Sequence, residues 1–259
     1  MWLRLRQIAI VAQDLRRAAL DLGTVLGLEA CFTDPGVKLF GLKNTLWPVG
    51  SQFLEVVTPT RQDTAGGRYR QRRGGDSGYM VITQCDDVAR RKARAAELGI
   101  RIAFDLDFPD EGHAGIQLHP ADTGGSFFEM DQMLMAHGED LDGPWTPAGT
   151  NWKPYVRTDV VSAICGAELQ SPEPEALAQR WAAMAEIDLS RDDAGHPTIA
   201  LDNATLRFVE ATDGRGEGLG GIDVVTVDRE AVLAGARARG CAVEQDHVVL
   251  VGLRVYLRG

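Results

Sequence analysis

The stretch QIAIVAQDL, residues 7–15, decides how the chain is organised, because in it a strand pattern leads directly into the start of a helix. Residues 7–12 alternate and include β-branched side chains, which is typical of a half-buried strand. Asp14 can accept hydrogen bonds from the free amides of a first helical turn, and Gly27 is suited to end the helix. The apolar face of this predicted helix consists of Leu15, Ala18, Ala19, Leu22 and Leu26.

Three further strands are predicted after this helix, at residues 28–32, 37–42 and 52–57. The order strand, helix, strand, strand, strand then returns three more times along the chain. The second copy follows a loop rich in glycine and arginine at residues 66–78. The elements of the later copies are predicted at 80–85, 87–98, 100–104, 114–118 and 126–130; at 163–169, 173–185, 187–189, 198–201 and 204–210; and at 222–227, 229–239, 242–245, 248–251 and 254–257.

The junctions between helix and following strand are also similar in the four copies. They read Leu26-Gly27-Leu28, Leu98-Gly99-Ile100, Ala185-Glu186-Ile187 and Arg239-Gly240-Cys241. Four such matches in the same order indicate duplication. The sequence therefore predicts an α+β fold built from four tandem βαβββ modules.

The boundary between the two halves is predicted where periodic apolar residues become rare. Residues 134–157 contain several prolines and glycines, which is typical of a connecting segment. We therefore expect a first domain at residues 1–135, a linker at 136–157 and a second, more divergent domain at 158–259.

Composition limits the kinds of partner that the chain can have. Its net charge of −10 makes nucleic-acid binding improbable, because such binding neutralises phosphates with basic residues. No apolar run approaches the ~20 residues that span a bilayer, so no membrane association is expected. The start of the chain lacks the apolar core of a signal peptide, which favours a cytoplasmic location. Both a monomer and a homodimer remain open.

Tandem βαβββ modules resemble the vicinal oxygen chelate superfamily, the glyoxalase-like proteins. Three segments carry the resemblance: residues 7–15, residues 53–59 and residues 118–129. The resemblance implies that paired modules curl their strands into a cup, so that the chain forms two glyoxalase-like domains with curved sheets. It also implies a divalent metal in the cup, held by one residue from the first strand and one from the last strand of each module.

Counting along the family pattern places the four metal-ligand positions at Gln7, Glu55, Met80 and Glu129. Only the two glutamates keep a ligand that suits a hard divalent ion. Gln7 can offer an amide oxygen, whereas the thioether of Met80 is a weak donor for such ions. The resemblance therefore implies either no cofactor or a weakly held Mg²⁺ or Mn²⁺ on Glu55, Glu129 and Gln7.

Without a metal, the two glutamates can still act as acids and bases. By the resemblance they face each other across the cup, and two neighbouring carboxylates in a dry cavity cannot both ionise cheaply. His119, at the end of a predicted strand, is a third candidate for acid–base chemistry, although it can equally hold the turn at residues 122–125. The other histidines are expected on the surface or in loops: His113, His137, His196 and His247.

Substrate contacts are expected from Gln7 and Met80 and from aromatic and basic residues nearby. Phe53 and Phe127 are available to line an apolar cavity. Arg72 and Arg73 belong to the glycine- and arginine-rich loop, which can act as a lid that binds a carboxylate or phosphate, or can be a solvated connector. The corresponding positions of the second half carry no set of metal ligands; they are Cys165, Arg207, Gly221 and Tyr256.

Two kinds of function fit these features, besides a structural or regulatory protein in which both cups are vestigial and filled. The first is an enzyme of the lyase, isomerase or epimerase type that acts on a small oxygenated metabolite through Glu55 and Glu129. The second is a protein that binds or sequesters a small molecule without catalysis, as resistance proteins of the resembling superfamily do. A strongly raised carboxylate pKa in the cavity favours the first, and a large apolar cavity favours the second.

Overall fold

The structure is a computed structural model that describes residues 1–259. Its helices are α1 Leu15–Leu26, α2 Ala65–Arg72, α3 Val88–Glu97, α4 Pro174–Ala185 and α5 Arg229–Arg239. The strands of the first half are β1 Leu3–Val11, β2 Leu42–Val49, β3 Gln52–Pro59, β4 Ser77–Cys85, β5 Ile102–Phe108, β6 His113–Leu118 and β7 Phe127–Met133. Those of the second half are β8 Val161–Ser171, β9 Leu189–Arg191, β10 Pro197–Ala200, β11 Thr205–Glu210, β12 Gly218–Thr226, β13 His247–Leu250 and β14 Leu253–Arg258.

The strands form two curved sheets of seven strands each, with the orders β2-β3-β1-β4-β7-β6-β5 and β13-β14-β12-β8-β11-β10-β9. In every module the first strand pairs in parallel with the last strand, as β1 does with β3 and β4 with β7. The same parallel pairing joins β8 to β11 and β12 to β14. The remaining strands of each module add in antiparallel fashion at the edge. The α+β fold with tandem glyoxalase-like modules is therefore confirmed.

Contacts divide the chain into two compact units. One unit contains residues 1–6, 80–146 and 166–219, and so holds the second and third modules. The other contains residues 7–79, 147–165 and 220–259, which form most of the first and fourth modules. The ranges 1–135 and 158–259 for two domains remain a prediction.

The helices begin and end where capping chemistry predicts. Asp14 accepts a hydrogen bond from the backbone nitrogen of Arg17 at 3.0 Å and so caps α1, and Asp87 caps α3 through the nitrogen of Arg90 at 3.0 Å. The four junction residues are left-handed, with φ of 68° at Gly27, 66° at Gly99, 55° at Glu186 and 69° at Gly240. Glycine adopts this conformation without steric cost, which explains its presence in three of the four junctions.

Some predicted strands are wrong. Residues 28–32 and 242–245 do not form strands and contribute only isolated bridges, Phe32 to Leu46 and Val243 to Val248. The segment 35–40 is a 3₁₀ helix rather than a strand. Its first position is Pro35, and the side chain of Asp34 accepts from the nitrogen of Gly36 at 2.7 Å. These local hydrogen bonds take the place of the backbone hydrogen bonds that a strand would make with a neighbouring strand.

The glycine- and arginine-rich segment is also different from the prediction, because residues 65–72 form helix α2 instead of a loop. Thr64 caps the helix by accepting from the nitrogen of Gly67 at 3.0 Å. On its inner face Tyr69 is buried, donates its hydroxyl to the carbonyl of Gly78 at 2.9 Å and packs edge-on against Tyr79. A helix anchored in this way differs from both alternatives that the sequence left open, a mobile lid and a solvated connector.

The predicted linker packs against the body of the chain. Arg4 donates to the carbonyls of Glu139 at 2.9 Å and Asp140 at 2.6 Å. Arg6, fully buried, donates to the carbonyl of Gly143 at 2.7 Å, and its guanidinium lies 5.5 Å from the ring centre of the buried Trp145. This end of the segment is therefore fixed by buried arginines and is not an extended tether.

An aromatic cluster holds α4 against the strands of its unit. The ring of Trp181 stacks on Phe128 with centroids 4.2 Å apart, and it meets Phe208 edge-on at 6.0 Å. Its indole nitrogen donates to the carbonyl of Thr123 at 3.1 Å, so the buried polar atom is satisfied.

No helix of the chain has the length and apolar character that a bilayer-spanning helix requires.

Candidate functional site

Strand pairing brings the predicted residues Gln7 and Glu55 together. β1 and β3 run in parallel with Gln7 opposite Phe53 and Ala9 opposite Glu55, so the two side chains lie on the same face of the sheet. The amide nitrogen of Gln7 donates to Oε2 of Glu55 at 2.9 Å. Both side chains are buried. The first and last strands of the first module thus meet as the resemblance implied.

A third polar residue, Asn44, completes this group from β2. Its Nδ2 donates to Oε1 of Glu55 at 2.6 Å, while its Oδ1 accepts from the backbone nitrogen of Asp34 at 2.9 Å. The backbone bond fixes which end of the amide faces Glu55. Each carboxylate oxygen of Glu55 therefore has its own amide donor.

Burial makes Glu55 a much weaker acid than an ordinary glutamate. Loss of solvation raises the pKa of Glu55 to about 7, the hydrogen bonds from Asn44 and Gln7 lower it, and the nearby charge of Asp34 raises it again. The side chain is only 7% exposed. Near neutral pH the group is present in both protonation states, so it can take up a proton and return it.

The second predicted glutamate, Glu129, lies on β7 in the other compact unit, and it has an acidic neighbour that the sequence analysis missed. Asp131 is two residues further along the strand, and both carboxyls are buried on one face. Burial raises the pKa of Glu129 well above its usual value, and the charge of Asp131 raises it further. Burial likewise raises the pKa of Asp131.

His113 belongs to this buried acidic group, so its predicted place on the surface is wrong. It lies on β6 with 5% exposure, and its Nε2 is 3.4 Å from Oδ2 of Asp131. Opposite Asp131 stands Gly115, where an added Cβ would collide with Oδ1 of the aspartate. The glycine therefore makes the space for the carboxylate. The sequence signal for this group is the spacing of Glu129 and Asp131, two residues apart on one strand. That Gly115 lies opposite Asp131 follows from the pairing of β6 with β7.

The residues at the four predicted ligand positions do not fit a metal centre. No group of three or more His, Cys, Asp or Glu side chains is arranged to hold a metal ion. At Glu55 both oxygens accept from amide N–H groups, and Gln7 directs its nitrogen, not its oxygen, at the carboxylate. A cation there would face N–H donors, which repel it. No step of the chemistry is therefore assigned to a metal.

The predicted apolar and thioether contacts lie in different surroundings. Met80 is buried on β4, opposite the half-buried Phe127 of β7. Phe53 is fully buried and meets the ring of Trp152 edge-on at 5.1 Å. Phe53 therefore serves core packing, and its role as a substrate contact remains a prediction, as do those of Met80 and Phe127.

The two predicted arginines differ in exposure. Arg72 is exposed at the end of α2, with its guanidinium 5.8 Å from the ring centre of Tyr69. Arg73 is buried, with 3% exposure, at the cap of the helix. Only Arg72 is therefore in contact with solvent in this structure.

His119 holds a turn. Its Nδ1 accepts from the backbone nitrogen of Ala121 at 3.2 Å, and its carbonyl accepts from the nitrogen of Asp122 at 2.8 Å. This geometry agrees with the turn-holding alternative, and a part in acid–base chemistry remains a prediction.

In the second half, arginines neutralise the buried acids. Arg207, one of the predicted positions, pairs with the buried Glu168 at 3.0 Å. At the position of Gly221, an added Cβ would meet the ring of Tyr256 at 3.0 Å, so the aromatic ring covers this part of the strand. Cys165 is half-buried on β8. The second half thus has a buried glutamate paired with an arginine, whereas the buried glutamates of the first half have no arginine or lysine partner.

Two surface clefts lie in the unit that contains Glu55. One has a volume of about 460 Å³ and lies between α1 and the strands of the fourth module. The other, of about 480 Å³, lies between the end of β3 and α2. Neither of these two clefts is lined by Glu55 or Glu129.

Two solved structures that match nearly the whole chain support the fold, and a third matches half of it. A hypothetical protein from Staphylococcus aureus matches 100% of this chain and 99% of its own at 11% identity, with a TM-score of 0.67. A variant of 4-hydroxymandelate synthase from Streptomyces coelicolor matches 92% of this chain and 75% of its own at 18% identity, with a TM-score of 0.65. A methylmalonyl-CoA epimerase from the same organism covers 49% of this chain and 95% of its own at 21% identity, with a TM-score of 0.44.

Comparison with curated protein sequences gave no significant match. The family model of the glyoxalase-like domain, in contrast, matches residues 8–185, more than half of the chain. With the tandem modules and the two curved sheets, this match shows that the chain belongs to the glyoxalase-like domain family of the vicinal oxygen chelate superfamily.

Proposed function

We propose that the protein is an enzyme of the isomerase, epimerase or lyase type that removes a proton next to a carbonyl group of a small oxygenated metabolite. The observation that carries the proposal is Glu55, a buried carboxyl with a pKa of about 7 and an amide donor on each oxygen. A base with a pKa near the working pH is the most effective, because it is both available and strong enough.

Gln7 and Asn44 give this base a fixed orientation. Their amide nitrogens lie 2.9 Å and 2.6 Å from the two carboxylate oxygens of Glu55, so the carboxylate cannot rotate freely. In the reaction, Glu55 takes the proton from the carbon next to the carbonyl. The electron pair of the C–H bond forms the C=C bond of an enolate, and the π pair of the carbonyl moves to its oxygen. The same carboxyl then returns the proton to another carbon of the enolate system, which gives an isomer of the substrate. As the base form is required first, turnover rises as pH increases through about 7.

Proton exchange in D₂O tests the proposal without knowledge of the physiological reaction. The purified chain is incubated with small 2-oxo acids, hydroxyketones and acyl thioesters, and the signal of the proton next to the carbonyl is followed by ¹H NMR. We expect proton exchange with at least one of these classes of compound. In Glu55→Gln the exchange rate should fall at least 100-fold, because a general base contributes a rate factor of this size. Glu97→Gln, on the exposed end of α3, serves as the matched control.

Exchange that continues unchanged in Glu55→Gln would show that Glu55 is not the base. The same assay on Glu129→Gln tests the second catalytic glutamate that the sequence predicts. A full loss in Glu129→Gln together with full activity in Glu55→Gln would transfer the role of the base to the buried acids of β7.

The alternative is a binding protein without catalysis. It is favoured by the position of Glu55, which is buried and lines neither of the two surface clefts. In that case the same compounds stabilise the protein against thermal unfolding but show no exchange. Stabilisation that is retained in Glu55→Gln, without exchange in the wild type, would favour this function.

A further inference from the structure

The cleft between the end of β3 and α2 is large enough to hold a small molecule. Its volume of about 480 Å³ lies within the range of about 300–1,000 Å³ that is usual for ligand pockets. One wall is the turn after Pro59, with Thr60, Arg61 and Gln62, and the other is the outer face of α2, with Arg68 and Gln71. Most of its lining residues carry polar or charged side chains, and most of these side chains can donate hydrogen bonds.

The charge of this cleft is opposite to that of the whole protein. It is lined by three arginines, Arg61, Arg68 and Arg70, and by one aspartate, Asp63, in a chain of net charge −10. Arg70 is neutralised, because its Nε lies 2.6 Å from the carboxylate of Asp76. Arg61 and Arg68 have no such partner among the ion pairs of the chain. Two guanidinium groups are thus available to an anion.

Arg68 is held in place by a backbone group, and Arg61 lies close to the backbone at Gly41. Arg68 donates through Nη1 to the carbonyl of Asp63, a residue in the left-handed region with φ of 61°. Arg61 lies over Gly41, where an added Cβ would come within 2.6 Å of its Nε. A non-glycine residue in the left-handed region costs free energy and is often retained at binding sites. Fixed guanidinium groups lose less freedom when they bind a ligand.

We propose that this cleft binds a small molecule that carries two neighbouring anionic groups, phosphate or carboxylate, with Arg61 and Arg68 as its anchors. A planar guanidinium can donate two parallel hydrogen bonds to either group. The side chains of Gln62 and Gln71 add neutral donors at the two walls. The ligand class follows from the charge and donors of the cleft and does not depend on the reaction assigned to Glu55.

Calorimetric titration of the full chain tests the proposal with inorganic pyrophosphate and with citrate as probes. We expect saturable one-to-one binding that weakens as salt is raised, since the attraction is between charges at the surface. Arg61→Ala and Arg68→Ala each weaken binding about tenfold or more, because each removes charged hydrogen bonds. Tighter binding of pyrophosphate assigns a phosphate ligand, and tighter binding of citrate assigns a carboxylate ligand.

The other cleft supplies a matched control. It is of similar volume but is lined by one arginine, Arg17, and by three aspartates, Asp14, Asp21 and Asp76. We expect Arg17→Ala to leave binding unchanged. Arg61→Lys keeps the positive charge but loses the paired donors of the guanidinium, so it should retain part of the affinity. This variant keeps the test usable if an alanine variant unfolds. Absence of saturable binding of either probe would overturn the proposal, as would equal weakening in Arg17→Ala or full affinity in both alanine variants.

This test is separate from that of the proposed function. Glu55→Gln should bind pyrophosphate or citrate as the wild type does, because Glu55 does not line the cleft. Loss of binding in that variant would contradict the assignment of the cleft as an independent anion site.

Discussion

At the scale of single residues, burial and partners decide the strength of each acid. Asp122 is half-exposed and accepts from Nε and Nη2 of Arg101, both at 2.8 Å, and these bonds hold its pKa below the ordinary range. Glu55 also accepts two hydrogen bonds, but its donors are neutral amides and its burial is nearly complete, so its pKa moves upward. Neutral donors offset only part of the lost solvation.

The buried Asp131 should make stability depend on pH. Its pKa is raised by burial, so the folded chain holds this proton more tightly than the unfolded chain does. The resulting stabilisation is complete below the ordinary aspartate pKa of about 4 and is lost as pH rises through the raised value. We therefore expect the free energy of unfolding to fall as pH is raised from about 5 to 9.

Denaturant unfolding at several pH values measures this effect. In Asp131→Asn the slope should be clearly smaller, because the amide does not titrate. Asp107→Asn, which changes an exposed aspartate on β5, is the control and should keep the wild-type slope. A slope that is the same in Asp131→Asn as in the wild type would show that Asp131 does not carry a raised pKa.

At the scale of elements, the helices could be predicted because their ends are marked by local chemistry. Asp14, Asp87 and Asp228 each cap a helix with their own side chains. Strands lack such marks, and the prediction at residues 37–42 failed because Asp34 and Pro35 favour a local 3₁₀ turn. The segment 65–72 was predicted as a loop from its glycines, yet the cap at Thr64 and the buried Tyr69 stabilise a helix. Tertiary contacts of this kind are not visible in local composition.

The candidate site could be predicted only in part for the same reason. Gln7 and Glu55 were found because the family resemblance implies ligand positions there, and parallel pairing of β1 with β3 brings them together. Asn44 was missed because β2 was not recognised as a strand. His113 and Asp131 were missed because their proximity depends on the antiparallel register of β6 and β7, which spacing along the chain does not reveal.

The cap of α3 provides a test at this scale. Asp87 accepts from the nitrogen of Arg90 at 3.0 Å, and Asp87→Ala leaves that N–H without its partner. We expect a loss of about 1 kcal/mol in the free energy of unfolding, and Asp87→Ser should restore most of it. Chemical denaturation with both variants measures the difference. Equal stability of wild type and Asp87→Ala would show that the cap does not contribute.

At the scale of the whole molecule, the same module is used four times with different chemistry. The first and second modules carry buried carboxyls, at Glu55 and at Glu129, that no arginine or lysine neutralises. In the third, Arg207 pairs with Glu168 at 3.0 Å, and in the fourth, Arg258 pairs with Asp223 at 2.7 Å. The parallel pairing of first and last strands recurs in all four modules, whereas the partners of the buried acids differ between the halves.

This difference predicts that the buried acid of the third module depends on its arginine for stability. Arg207→Met removes an arginine that pairs with the buried Glu168, which should cost about 3–5 kcal/mol in the free energy of unfolding. The double variant Arg207→Met with Glu168→Met should recover most of that loss, since no charge remains buried. Thermal and chemical unfolding of the three proteins give the comparison. A loss that persists in the double variant would assign the effect to packing and not to charge.

Glu55 in the folded chain should exchange its proton near neutral pH, and ¹³C NMR titration of its carboxyl carbon measures this exchange. The intact protein is labelled at the glutamate side-chain carboxyl, and the signal is assigned as the one missing from Glu55→Gln. We expect a titration midpoint at about 7, and a higher midpoint in Asn44→Ala, which lacks a donor that stabilises the charged form. A midpoint near the ordinary glutamate value of about 4.3 would contradict the account.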